Sequence, residues 1–314
     1  MKQFSVLLLT TLLLCTGCGC KEEPTIFDLF SRTDSRPPTL LRVEARYPDT
    51  VRFVFDEPIK SKKLQFTCDE NPISDCTVQT ETVVIRFSTE LNPGKGEVIA
   101  ARVEDLAGNS TIFRMEVWVQ NPNPPSLLIN EFTTKGTDTN PDRVELLVTS
   151  RGNLAGLTLT SGLEQLATDR FIFSDRWVER GTYLVVVFSK GEVDPSSYVS
   201  ENRSGLSSNN GCIALSLSPQ WDSPLLDAVV WGNHTTSTFE GFGSQDLLDE
   251  ATLLVERKHW TQVDSKLSID STNSTSTRSM CRKQLVDTNS QDDWYICDTK
   301  QASFGYQNST VLYQ

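Results

Sequence analysis

Histidine is nearly absent from this chain, which has only His234 and His259. A serine nucleophile needs a histidine base and an acid that orients it, and no G-x-S-x-G elbow occurs to present a serine. Both histidines stand in polar stretches, so we expect them on the surface. The scarcity of histidine therefore argues against a hydrolase of the serine–histidine type.

Basic charge is in deficit as well, because 29 lysines and arginines stand against 41 aspartates and glutamates, and the formal net charge is −12 at pH 7. A chain with this balance repels phosphate backbones unless a local basic patch overrides the total. The longest basic cluster, residues 60–63, is typical of a solvated loop or strand edge. We therefore expect no nucleic-acid partner.

The apolar run at the start of the chain, residues 6–14, is too short to span a bilayer as a permanent helix. Lys2 precedes the run, and the small residues Thr16 and Gly17 follow it, which is the order of a secretory signal peptide. We interpret residues 1–17 as a signal peptide that is removed on export. Residues 18–36 are then a polar tether, which cannot bury enough apolar surface to fold alone.

Cys18, directly after these small residues, resembles the cysteine of the bacterial lipoprotein lipobox. In that family the cysteine carries diacylglyceryl and acyl chains such as palmitate, and it becomes the mature N-terminus. The resemblance implies that Cys18 is lipidated, with Cys20 as the alternative, although Cys15 stands where the family prefers Leu, Val or Ile. Gly19 after the lipidated cysteine implies sorting to the outer membrane. Secretion without a lipid is the remaining alternative.

Cysteines beyond the expected lipidation site occur at positions 20, 68, 76, 212, 281 and 297. In an exported chain, nearby cysteines are expected first to form disulfides, here Cys68 with Cys76 and Cys281 with Cys297. Closing these two loops should contribute about 2.5 and about 3 kcal/mol. Cys212 stands in an apolar run and is expected to be buried. No C-x-x-C pair faces a second one, so the spacing predicts no zinc site.

Alternating apolar residues predict β-strands from residue 37 onward. In TVRFVFDEP, residues 51, 53 and 55 fall on one face, and residues 83, 85 and 87 do so in TETVVIRFS. No helical period longer than about two turns occurs in this first part of the chain. The NPNPP run at 121–125 cannot pair regularly and predicts a linker.

Residues 37–120 resemble a bacterial immunoglobulin-like module of the surface-layer type. The resemblance rests on PPTLLRVEARYPDTVRFVFDEPI near the start and on LNPGKGEVIAARVEDLAGNS near the end. In that family an F-x-F-D-E-P-type segment follows the opening strand, and a D-x-A-G-N turn closes the domain. Here that turn begins at Asp105, and Gly108 and Asn109 suit the positive φ angles of a tight hairpin.

Residues 126–308 resemble a lamin-tail-type domain, another immunoglobulin-like sandwich of secreted and envelope proteins, and a tail follows at 309–314. The blocks that carry the resemblance are 129–131, 144–146, 153–156 with Leu159, and SMCRKQLVDTNSQDDWYICDTKQASFGYQN. The family ends on an Arg, a D-x-N-x-x-D-W-like loop and a finish of small residues, Gly and Asn. The matching residues are Arg282, Asp287, Asn289, Trp294, Ser303, Gly305 and Asn308. The excess length is expected in loops at 190–210 and 235–250.

Two sets of acidic residues are candidates for metal binding or acid–base chemistry. The stretch from Asp138 to Asp142 imitates the first half of a calcium loop, but Arg143 and Thr149 occupy the positions of the required Gly and Glu. We therefore expect an Asx-rich turn without a metal. Glu131 and Glu145 lie on adjacent predicted strands and could be neighbours, yet the resemblance implies a place in the strand framework and no catalytic role.

The sequence thus predicts an all-β protein of two tandem immunoglobulin-like β-sandwiches after a signal peptide and a lipidated tether. We expect a non-catalytic binding or scaffolding module, lipid-anchored in the bacterial envelope, periplasmic or surface-facing, for a protein or glycan partner. Apart from the lipid on Cys18, no cofactor or metal is expected. One alternative is a metal-dependent secreted hydrolase or its accessory part, because lamin-tail-type domains also accompany secreted nucleases and phosphatases. The other is a passive envelope spacer.

Overall fold

A computed structural model describes residues 34–220 and 223–314. The predicted signal peptide, Cys18 and Cys20 lie outside the described residues. Residues Pro37–Gln314 form one compact unit, which is described here. Among the described helices, none has the length and apolar character that crossing a membrane requires.

The described part of the chain is mostly β, with one α-helix and several short 3-10 helices. The strands before the predicted linker are β1 Leu40–Tyr47, β2 Thr50–Phe55, β3 Gln65–Cys68, β4 Ile73–Gln79, β5 Thr82–Phe87, β6 Glu97–Glu104 and β7 Ser110–Val117. Those after it are β8 Leu127–Thr133, β9 Arg143–Val148, β10 Gly152–Asn153, β11 Thr158–Ser161, β12 Asp169–Ile172, β13 Trp177–Val178, β14 Tyr183–Val187, β15 Tyr198–Val199, β16 Gly211–Ser216, β17 Leu225–Gly232, β18 Ile269–Asp270, β19 Met280–Arg282 and β20 Trp294–Ile296. The α-helix is α1, Gln245–Glu256, and the 3-10 helices are Ser61–Lys63, Glu164–Leu166, Phe239–Gly241, Ser265–Leu267 and Gln291–Asp293.

Strands β1 to β7 form two antiparallel sheets, in the orders β1-β2-β5-β4 and β3-β6-β7. The predicted alternation is confirmed, because Val51, Phe53 and Phe55 of β2 are buried together with the matching residues of β5. Phe53 lies 5.1 Å, centroid to centroid, from Phe66 of the other sheet. Apolar side chains from both sheets therefore form one core.

The predicted turn at Asp105 organises the β6–β7 hairpin. The Asp105 carboxylate accepts hydrogen bonds from the backbone N–H groups of Gly108 and Asn109 at 2.6 and 2.8 Å and from the Asn109 amide at 2.7 Å. Gly108 takes a φ of 104°, whereas Asn109 does not adopt a positive φ. The hairpin therefore needs one left-handed residue and not the predicted two.

Strands β8 to β20 form a six-stranded sheet, β15-β14-β9-β8-β19-β20, and a five-stranded sheet, β12-β11-β16-β17-β18, besides the small pair β10-β13. Buried side chains of the two large sheets join one core, in which the Phe132 ring lies 5.3 Å from both Trp231 and Trp294. Cys212 is buried in this core as predicted. This core is separate from the one formed by β1 to β7.

Helix α1 is a correction, because its first half lies in a segment that the sequence analysis assigned to a loop. The Ser244 hydroxyl caps its N-terminus by accepting the backbone N–H of Leu247 at 3.2 Å. The residues it buries are Leu247, Glu250, Ala251 and Leu254. Their spacing is that of one helical face, and together with the serine cap it was a readable helix signal.

The two halves of the Pro37–Gln314 unit contact each other through the block that includes Gly156. An added Cβ at Gly156 would lie 2.3 Å from the Pro93 carbonyl oxygen, and its φ of 78° also favours glycine. The Asn121 amide in the predicted linker donates to the carbonyl oxygens of Asn153 and Ala155 at 2.6 and 3.0 Å. The linker is therefore fixed against the second half.

Candidate functional site

The outer face of the six-stranded sheet carries a row of buried acidic residues. Glu131 of β8 pairs in register with Glu145 of β9 on one side and with Cys281 of β19 on the other. The neighbouring residues Phe132, Met280 and Val144 point into the core, so this row points away from it. Both glutamates are nevertheless fully buried. The predicted proximity of Glu131 and Glu145 is confirmed.

The segment 303–309 covers this row. Glu131 accepts hydrogen bonds from the backbone N–H and the hydroxyl of Ser303, both at 2.8 Å. Glu145 accepts from the Gly305 backbone N–H at 2.5 Å. The Asn308 amide donates to the Asn130 carbonyl oxygen at 3.1 Å, at a point where the β8–β9 register shifts. Ser303, Gly305 and Asn308, from the last block of the lamin-tail resemblance, therefore satisfy buried polar groups in the blocks at 129–131 and 144–146.

Burial raises the pKa of Glu145 to about 8, against the lowering effect of hydrogen bonds from the Asn130 amide and the Gly305 backbone N–H. The Glu131 carboxylate also raises it, because like charges on facing strands repel. Glu145 therefore carries a proton at neutral pH. Its partners are an amide side chain and a backbone N–H group, so Glu131 and Glu145 together hold segment 303–309 against the sheet.

Arg282 is the centre of a second buried network. Its Nη2 lies 2.9 Å from Asp227 Oδ2, its Nη1 lies 2.9 Å from Asp287 Oδ1, and its Nε donates to the Ile129 carbonyl oxygen at 2.7 Å. The guanidinium carbon also stacks 4.8 Å from the Trp294 ring centroid. Arg282, Asp287 and Trp294 thus connect the loop after β19 to strands β8 and β17.

The stretch from Asp138 to Asp142, which resembles part of a calcium loop, forms hydrogen bonds with backbone groups. Asp142 accepts the backbone N–H groups of Gly136 at 2.6 Å and of Leu206 at 3.0 Å, one on each carboxylate oxygen. The Asn140 carbonyl oxygen closes a turn by accepting the Thr137 backbone N–H at 2.8 Å. Asp142 therefore anchors the loop before β16, which is the role of a structural Asx residue.

Both histidines are half-buried, so neither lies fully on the surface as predicted. His234 Nε2 is 3.2 Å from the Ser268 carbonyl oxygen, and its Nδ1 is 3.8 Å from an Asp270 carboxylate oxygen. His259 follows helix α1, and burial lowers its pKa. These contacts do not present a serine hydroxyl to an imidazole.

Cys281 and Cys297, like the other described cysteines, are free thiols. The predicted disulfides are thus not formed here, and Cys68, at the end of β3, instead lies with its Sγ 3.6 Å from a carboxylate oxygen of Glu97. Cys76 lies on β4, in the other sheet. Oxidation of Cys68 with Cys76 stays a prediction.

Sequence spacing alone did not reveal that Glu131 and Ser279 lie beside Cys281 and Cys297. The Sγ atoms of Cys281 and Cys297 and a carboxylate oxygen of Glu131 lie within 4.8 Å of one another, and all three residues are buried. The Ser279 hydroxyl is 3.4 Å from Cys281 Sγ and 3.1 Å from Cys297 Sγ, and it donates to Glu131 Oε1. The register of three strands creates this cluster.

A polar hollow of about 400 Å³ lies on the outer face of the five-stranded sheet. Alternation along β11 turns Leu159 into the core and Thr158 and Thr160 toward the hollow. At its rim, Arg170 Nε lies 3.0 Å from both carboxylate oxygens of Glu201. Most of the residues that line it carry hydroxyl, amide or charged groups, and apolar residues such as Leu163 and Leu225 contribute the rest of the surface.

A second hollow of about 390 Å³ continues the first toward the N-terminal half. The two hollows share Ser218, Gln220 and Ser223, and the second adds Trp118 and residues of β1, Arg42 among them. Gln220 Oε1 accepts the Trp118 backbone N–H at 3.3 Å, which fixes the junction. We call the two hollows together the polar groove. Sequence analysis did not find it, because its residues come from both halves.

A further hollow of about 560 Å³ lies on the opposite side, against the six-stranded sheet. Leu147, Tyr183 and Leu285 give it a more apolar lining, and Gln284 lies at its edge. It provides a comparison surface for tests of the polar groove.

Solved structures similar to this chain include two bacterial proteins. One is a DUF4876 family protein from Bacteroides thetaiotaomicron VPI-5482, with 9% identity, a TM-score of 0.32, and coverage of 77% of this chain and 89% of that chain. The other is the N-terminal part of the bacterial S-layer protein SbsC, with 14% identity, a TM-score of 0.24, and coverage of 55% of this chain and 44% of that chain. At these TM-scores neither likeness supports an argument about function.

No curated protein matches the sequence. The family model TP_1001_2nd, described as a protein second domain, matches residues 125–202 and 197–296, which together span more than half of the chain. These residues contain both large sheets of the second half apart from the covering segment. The chain therefore belongs to the TP_1001_2nd family.

Proposed function

We propose that this protein is a non-catalytic binding module of the bacterial envelope, and that its polar groove binds a glycan. The observation that carries this proposal is the continuity of the two hollows through Ser218, Gln220 and Ser223. Sugars offer many hydroxyl groups, and the groove offers hydroxyls, amides and guanidinium groups that can pair with them. Each hollow also has a volume in the range of small-ligand sites.

A glycan fits the polar groove better than a protein partner does. Protein interfaces concentrate binding energy in aromatic and apolar anchors that fill pockets. The hollow on the outer face of the five-stranded sheet instead has threonine and serine hydroxyls along β11 and β16. Trp118, half-buried where the groove crosses to β1, offers one aromatic face against which a sugar ring can pack.

The architecture also leads us to propose a specific type of sandwich for each half of the chain. We assign the two-sheet core of residues 37–120 to a surface-layer-type immunoglobulin-like sandwich and residues 126–308 to a lamin-tail-type one. Each half has antiparallel sheets around its own core.

We further propose that acylated Cys18 holds the chain at the outer membrane, since two or more acyl chains give stable anchoring.

Binding of soluble peptidoglycan fragments, measured by isothermal titration calorimetry, tests the groove. We expect the combined change Asn202→Ala and Gln220→Ala to lower affinity about 10-fold or more, since each lost hydrogen bond costs about 0.5–1.5 kcal/mol. Gln284→Ala, which removes the same side chain from the opposite surface, is the matched control and should change nothing. Equal weakening by both changes, or binding of envelope proteins without any glycan binding, contradicts the proposal.

The anchor is tested by mass spectrometry of the N-terminus of the protein isolated from its native membrane. We expect the chain to begin at an acylated Cys18, and Cys18→Ser to release the protein into the soluble fraction. Cys20→Ser should leave it with the membrane. An unmodified N-terminus, or acylation at Cys20, refutes the assignment to Cys18.

A further inference from the structure

We propose that Cys281, Cys297 and Glu131 form a structural zinc site, which the Ser279 hydroxyl completes. Two thiolates and a carboxylate are ligands that zinc accepts, and structural zinc sites are closed to solvent. All four residues are buried. The proposal does not depend on the polar groove, which lies on the other large sheet.

The geometry of the four ligand atoms suits a tetrahedral ion. Zinc–sulfur bonds of about 2.3 Å place tetrahedral ligand atoms roughly 3.8 Å apart. The two sulfurs and the Glu131 oxygen lie within 4.8 Å of one another, and the Ser279 Oγ stands 3.1 and 3.4 Å from the sulfurs. Binding an ion at the centre requires the Ser279 hydroxyl to give up its hydrogen bond to Glu131 Oε1, because two oxygen ligands of one tetrahedral zinc lie about 3.3 Å apart or more.

The strand register favours a metal over a disulfide. Cys281 pairs with Tyr295, while the Cys297 backbone N–H donates to the Ser279 carbonyl oxygen at 3.0 Å, so Cys297 lies opposite Ser279. The two cysteines are diagonal neighbours, and such positions have Cα atoms about 7–8 Å apart. Disulfides usually need a Cα separation of about 4.4–6.8 Å. A metal ion bridges the longer gap without moving the backbone.

The burial of the cluster also favours a bound cation. Glu131, Cys281 and Cys297 are all fully buried, and a thiolate or a carboxylate is the form in which each binds a metal. Buried anions are tolerated when they are paired or coordinate a metal.

The site would join three elements that are distant in sequence. Glu131 is on β8, Cys281 on β19, and Cys297 directly follows β20. Ser303 of the covering segment also binds Glu131, at 2.8 Å. Zinc would therefore fasten the edge of the six-stranded sheet beneath segment 303–309.

The test uses the full-length protein, purified without chelators and kept under reducing, oxygen-free conditions. Elemental analysis should find zinc in equal amount to the protein, and X-ray absorption of the bound zinc should show two sulfur and two oxygen ligands. Cobalt exchanged into the site should give a thiolate-to-cobalt charge-transfer band. Cys281→Ser and Cys297→Ser should each remove that band, whereas the matched changes Cys68→Ser and Cys76→Ser should keep it.

Glu131→Gln provides a graded variant that retains both thiols. We expect the cobalt band to remain and the zinc affinity to fall at least about 10–100-fold, the loss seen when even an outer-shell partner is removed. Absence of zinc, zinc with only oxygen and nitrogen ligands, or a Cys281–Cys297 disulfide in the native protein overturns the proposal. The absorption measurement needs no variant, so a folding failure of the serine variants leaves the test intact.

Discussion

Replacing Arg282 by methionine should lower the free energy of unfolding by about 3–5 kcal/mol, because removing one member of a buried ion pair leaves the other charge uncompensated. Asp227 is fully buried, and one of its oxygens lies 2.9 Å from the guanidinium. Methionine also removes the hydrogen bond to the Ile129 carbonyl oxygen. Urea denaturation followed by tryptophan fluorescence measures the change.

Two comparisons make the Arg282 result specific. Arg151→Met removes an exposed pair with Glu179, whose side chains are 64% and 72% exposed, and should cost at most about 1 kcal/mol. Adding Asp227→Leu to Arg282→Met should recover part of the loss, because apolar groups of similar size can replace a buried ion pair. A loss below about 1 kcal/mol for Arg282→Met would show that this network does not stabilise the fold.

The second large effect is a loss of stability as the pH rises from about 4.5 to about 8. The pKa of Glu145 is raised in the folded protein to about 8 from the ordinary value of 4.5. The stabilisation is therefore complete below pH 4.5 and is lost as the pH rises through 8, because only the unfolded chain ionises freely in that interval. At about 1.4 kcal/mol for each pKa unit, Glu145 alone accounts for a loss of several kcal/mol by pH 9.

Glu145→Gln isolates this contribution. Glutamine resembles the protonated acid and does not ionise, so the free energy of unfolding should vary less between pH 5 and pH 9 than in the unchanged protein. Glu179→Gln, at an exposed position, should leave the pH profile unchanged. Part of the profile should survive in Glu145→Gln, because burial also raises the pKa of Glu250 to about 7. If the Glu145→Gln profile matches that of the unchanged protein, Glu145 is ionised when folded.

Local patterns in the sequence predicted much of the fold. The alternation in β2 and β5 identified buried faces correctly because it depends only on neighbouring residues. Helix α1 was missed although Ser244 and the buried residues 247, 250, 251 and 254 follow the helical rule. The capping serine and the spacing of these residues carry the helix signal locally, so the information for this helix was present in the sequence.

The sites could not be predicted in the same way, because their partners are far apart in the chain. The late motif was recognised, but nothing in it shows that Ser303 binds Glu131, which is 172 positions away. The cysteine cluster required the register of β8, β19 and β20. The polar groove required contact between the two halves, which Gly156 permits by its close approach to Pro93.

The position of segment 303–309 has a consequence for biosynthesis. Strand β8 is made before most of the second half, but the Ser303 groups that hydrogen-bond its buried acid side chain arrive only after nearly all the rest of that half has been synthesised. Until then, both glutamates must stay hydrated. A chain cleaved before Ser303 would keep its apolar core yet expose this acidic row, so a protease that meets both forms would distinguish truncated molecules from intact ones.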